Sequence, residues 1–147
     1  MSRERRTRGE AGNAVLEFVW LGVLLLVPLV YLLISVFDVQ RGAFGASAAA
    51  RAAGRAFTLA EDEAQGRERA QQAARVALSD QGIEGPFELT IDCAPHPCLS
   101  PGSVATVRIS TQVALPLMPE VLGGGRSSLR VESVHRVPTG RYVEARR

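Results

Sequence analysis

Two groups of side chains have types and spacings suited to chemistry. The stretch CAPHPC sets Cys93, His96 and Cys98 within six residues, with Pro95 and Pro97 between them. Three readings fit. A Cys93–Cys98 disulfide closes a very small loop and contributes on the order of 2 kcal/mol by chain entropy. Two free thiols are the second reading. A metal held by Cys93, His96 and Cys98 is the third, though the set lacks the fourth ligand of a tetrahedral structural site. The other group is a lone carboxylate, Glu17, beside Phe18 at the head of a long apolar run. At the centre of a bilayer a charge costs roughly 2.5 to 3.5 kcal/mol on insertion scales, less near the interface, so Glu17 calls for a cationic partner. A cut after Gly12 would make one, because the freed α-amino group of Asn13 would stand one helical turn before Glu17 on the same face.

The remaining residues offer no catalytic constellation. The sequence has no G-x-S-x-G, no H-E-x-x-H and no Walker loop. His135, alone in a strand-like stretch, reads as a surface residue, and Glu61, Asp62 and Glu63 read as the start of a helix. The triple glycine 123–125 lacks the strand–loop–helix setting of a phosphate cradle and reads as a flexible turn. A structural or assembly role follows, with no enzyme activity, no metal and no cofactor expected.

The element that must position Glu17 is membrane-like. Residues 18–37 are twenty consecutive residues without a charge, dominated by Leu and Val. As a helix they span about 30 Å, roughly the hydrocarbon thickness of a bilayer. The rest of a 147-residue chain offers too little apolar surface to wrap a helix that is apolar all round. A cleaved secretory signal usually has an apolar core of only about 7 to 15 residues and a small-residue cleavage site, and residues 38–41 offer none.

Charge gives the orientation. Arg3, Arg5, Arg6 and Arg8 against Glu4 and Glu10 make a basic flank, which favours a cytoplasmic N-terminus with residues 38 onward outside. That flank carries the whole net charge of +2, so the rest of the chain is neutral overall. A nucleic-acid partner would want a basic face in the body of the protein, and none is expected.

Beyond the apolar run, residues 42–57 are mostly small and read as a continuing helix, since Ala is the best helix former. Its small residues suit either close approach to other helices or an ordinary solvated surface. Residues 59–82 then read as a second helix, acids first and Arg later, capped near Gly82. Ala70, Ala73, Ala74, Ala77 and Leu78 give it a thin apolar stripe, so it should lean on a sheet or a neighbouring chain. Alternation then marks three strands, with Phe87, Leu89, Ile91 and Cys93 on one face of the first. The fold class is α+β: a basic leader over 1–12, a transmembrane and Ala-rich helix over 13–57, a second helix over 58–82, and a small antiparallel β domain over 83–147.

At its head the chain resembles a known family. Gly12 followed by NAVLEF, with Glu17 five residues after the glycine and Phe18 next, resembles the processing site of type IV pilin-like proteins. The apolar helix and the stretch AAARAAGRA are similar to the TadE-like minor pilins of tight-adherence pilus systems, over about residues 9–57. Asn13 stands where type IV pilins usually have Phe, and Pro28 lies farther from the Glu-Phe pair than the proline of TadE-like proteins. The resemblance implies cleavage between Gly12 and Asn13 by a prepilin peptidase. It also implies assembly through Glu17 and Phe18 with other pilins and pilus assembly membrane proteins, in membrane lipid. The alternative is an uncleaved single-pass envelope protein whose outer domain binds or scaffolds.

Overall fold

A computed structural model describes residues 10–114 and 128–140. Among them lie helices α1 (Glu10–Thr58) and α2 (Glu63–Ser79) and strands β1 (Phe87–Ala94), β2 (Val104–Ala114) and β3 (Ser128–Pro138). The α+β architecture agrees with the alternation and periodicity of the sequence. The triple glycine lies outside the described residues. The chain divides into two compact units, Met1–Val36 and Phe37–Arg147.

In the first unit, residues 14–36 form continuous helix through Pro28. Their side chains are exposed, apart from half-buried Tyr31 and Ser35. Ser35 Oγ turns back on its own helix and donates to Tyr31 O at 2.9 Å. Among the described residues α1 is the one helix long and apolar enough to cross a membrane, with a mean hydropathy of 2.6 over its most apolar stretch.

The second unit is a sheet of order β1-β2-β3, antiparallel throughout, with the two helical segments over one face. Its register pairs Ile91 with Val107 and Val107 with His135. Period-two alternation turns Ile91, Cys93, Ala105, Val107 and Ile109 inward, where they meet Ala49, Ala50, Ala53 and Phe57 of α1 and Ala70, Ala74 and Leu78 of α2. One row of small residues in α1, Ala46, Ala49, Ala50, Ala53 and Gly54, is therefore core and faces the sheet and α2 of its own chain, while Ala52 and Ala56 stay partly exposed on the other side.

Close approach explains why they are small. A Cβ on Gly54 would stand 2.5 Å from Val137 Cγ2, and one on Gly42 would stand 2.3 Å from Val113 Cγ2. With only hydrogen at those positions, the helix backbone comes down onto the valines of β2 and β3. At the other helix, a Cβ on Gly66 would stand 2.9 Å from the Phe57 ring, the largest fully buried side chain. The thin stripe of α2 leans on the sheet and α1 as the sequence requires.

Local chemistry sets the ends of α2. Asp62 is its N-cap and accepts from Gln65 N at 2.8 Å, while Gln65 Oε1 reaches back to the amide of Glu61. At the other end Gly82 takes φ +71, which a Cβ would disfavour, and Ile83 N returns to Leu78 O at 3.0 Å. His135 corrects one expectation. It is half-buried on the inward row of β3, where its Cδ2 would be 3.7 Å from a Cβ on Gly54.

Candidate functional site

Two places hold the residues singled out in the sequence. The first is the N-terminal stretch of α1. Gly12 and Asn13 lie within the helix, which begins at Glu10. Glu17 and Phe18 are exposed, Phe18 at 79%. Leu16, Val19, Trp20 and Val23 line the same stretch of helix surface as Glu17, and no described side chain bonds to its carboxylate. Trp20 follows Glu17 by three residues and so shares its face. That E-x-x-W spacing is visible in the sequence. Over residues 14–36 the arrangement is a single anionic group on an otherwise uncharged helix surface, able to attract a cation.

The second place is the loop after β1. Cys93 and Cys98 stand at disulfide distance, 2.10 Å between sulfurs and 5.1 Å between Cα atoms. Both are buried. Sulfurs bonded to one another are not thiolate ligands, and His96 points away as an exposed residue, so the metal reading of the loop has no site here. No cluster of three or more metal-ligating side chains occurs among the described residues.

Hydrogen bonds within this loop and from it to α2 and to the residue after β3 fix its place in the second unit. The Glu63 carboxylate, in the first turn of α2, accepts from the amide of Cys98 at 2.8 Å. Ser103 Oγ donates to Cys98 O. The amide of Thr139, just past β3, donates to Ser103 O at 2.7 Å. Glu63 thus does more than begin a helix. It ties α2 to a loop 35 residues away, and no local spacing announces such a bond. The loop is a structural staple, with its buried Leu99 beneath it.

No family model, no curated protein and no solved structure matches the chain.

Proposed function

We propose that this chain is a TadE-like minor pilin or pilus assembly subunit. On this reading it is cut after Gly12 by a prepilin peptidase and assembles through the apolar half of α1. It sits in the cytoplasmic membrane with the residues before the apolar run inside and those after it outside. Its partners are other pilins and pilus assembly membrane proteins.

One observation carries the reading. Residues 14–36 form a helix of exposed Leu, Val and aromatic side chains whose one charged residue is Glu17. A helix satisfies its own backbone in lipid, whereas an unpaired carboxylate does not satisfy itself there. The freed amine of Asn13, in the same chain or in a neighbour, supplies the missing cation on the same face. Glu17 then selects partners, because its membrane cost is offset only when a complementary charge is present.

Intact-mass measurement of the protein from its native host tests this. The expected mass is that of a chain beginning at Asn13. A mass that retains residues 2–12 refutes the processing and leaves an uncleaved single-pass anchor with an outer binding or scaffolding domain.

A further inference from the structure

The exposed side of the helical layer carries a groove that the proposed assembly through residues 14–36 does not use. Its floor is Ala52 and Ala56 of α1 with Ala73 and Ala77 of α2. Val76 lies along it at 58% exposure, and Leu59 stands at 67% on the α1 side. Arg69 of α2 flanks the floor, and Arg51 and Arg55 of α1 extend the flank.

The state of these arginines sets the groove apart. Arg41 pairs with Asp38, Arg108 with Glu132 and Arg130 with Glu88. Arg67 donates to Ile91 O, while Arg75 donates to Gly85 O and lies over the Phe87 ring. Arg51 reaches only the hydroxyl of Ser47. The guanidinium groups of Arg55 and Arg69 donate to no group among the described residues, a condition that among the described arginines outside the groove holds only for Arg136 on the sheet. Unpaired guanidinium groups therefore gather where the apolar floor is open. Asp80 is the one acid lining the groove.

We propose that this groove docks a helix of a partner protein that carries a stripe of small or apolar residues flanked by Asp and Glu. Alanines one turn apart on both walls let a third helix backbone settle between α1 and α2, as helix-in-groove recognition requires. The flanking carboxylates complete the guanidinium groups, for which planar paired recognition is well suited. A second copy docking by this same face would offer one acid, Asp80, against the three arginines of each copy, so the occupant is a different, more acidic surface. The proposal does not depend on cleavage after Gly12.

The test uses the full chain in detergent micelles and two fluorescein-labelled helical peptides. One has Ala and Leu at three- and four-residue spacing with Glu on both flanks. The other is identical except for Lys in place of Glu. The Glu peptide binds saturably and the Lys peptide does not. Arg55→Glu with Arg69→Glu weakens the Glu peptide about tenfold, as two lost exposed ion pairs would, and confers binding of the Lys peptide. Both positions are exposed, and tryptic resistance of α2 checks that each variant is folded. Equal binding of the two peptides, no saturable binding of the Glu peptide, or indifference to the double substitution overturns the proposal.

Discussion

The two halves of α1 invert the usual relation between apolar side chains and burial. Residues 14–36 carry the large ones, Leu, Val, Phe and Trp, and leave them exposed. Residues 42–57 carry Ala and Gly, and Ala46, Ala49, Ala50 and Ala53 are fully buried. Each alanine removes little apolar area by itself, at about 0.8 kcal/mol per buried methylene-sized group. Their value lies in what they admit. A helix faced with Ala and Gly comes close enough to the sheet to cover Val107, Ile109 and Val137, whereas a leucine face would hold it off. The exposed half has no such partner among the described residues. Burial is set by the neighbour as much as by the side chain.

The largest expected effect separates two phenylalanines on the same helix. Phe57 is fully buried over Gly66, whereas Phe18 is 79% exposed. Phe57→Ala should cost the second unit about 3 to 5 kcal/mol, the range for buried aromatic truncation. Phe18→Ala should leave that unit unchanged. Limited trypsin digestion at Arg67, Arg69 and Arg75 reads the difference: rapid cutting in Phe57→Ala, wild-type resistance in Phe18→Ala. Equal resistance in both would break the contrast.

A glycine pair sharpens it in the opposite sense, by adding volume. Gly54→Leu must push against Val137 and Val107, an overpacking expected to cost about 1 to 3 kcal/mol. Gly22→Leu meets nothing within 4 Å and should be neutral or slightly favourable to the helix. The same digestion, together with the midpoint of thermal unfolding, distinguishes the two.

A comparable but narrower effect is expected at the staple. Thiol labelling of the unreduced, denatured protein should find Cys93 and Cys98 both blocked. Replacing both with Ser should lower stability by about 2 kcal/mol, the chain-entropy value for so short a loop. Two freely reacting thiols in the native protein would refute the disulfide.

How much of this was visible in the sequence differs from element to element. The strands were legible because one face of the sheet is buried, which forces alternation in Phe87, Leu89, Ile91 and Cys93. The C-terminal end of α2 was legible because Gly82 follows it at positive φ, whereas its start was placed too early, at 58–59: α1 runs on to Thr58, and α2 begins at Glu63 after the Asp62 cap. The use of the alanines was not legible, since it depends on Val107, Val113 and Val137, which are distant in sequence. His135 was misread for a related reason. Its polarity suggested the surface, but its parity with Val131 puts it on the inward row. Glu63 showed its helix-start role and hid its bond to Cys98, because only the fold brings the two together. Glu17 stood out at once, since a lone acid in an apolar run breaks a pattern that needs no fold to define it.

The smallest effect on folding is expected at Glu17, and there the two halves of α1 part most clearly. Glu17→Leu removes an acid from an exposed apolar surface and disturbs no described contact, so the second unit should keep wild-type resistance to trypsin. Membrane insertion should be preserved or slightly improved, because an acid costs up to roughly 2.5 to 3.5 kcal/mol at the bilayer centre, less toward the end of the apolar run where Glu17 lies, and leucine costs nothing. If the proposed processing and assembly hold, cleavage after Gly12 should continue, because the substitution leaves the glycine in place. Assembly alone should then fail, because the Asn13 amine would lose its complementary carboxylate. Fractionation of cells carrying Glu17→Leu, a count of surface pili and co-purification with other pilins separate these outcomes. A membrane-bound, cleaved variant without pili supports partner selection by Glu17. Wild-type pili and wild-type partner recovery would mean that residues 14–36 act only as an apolar anchor, and the comparison would then reduce to one buried face and one lipid-facing one.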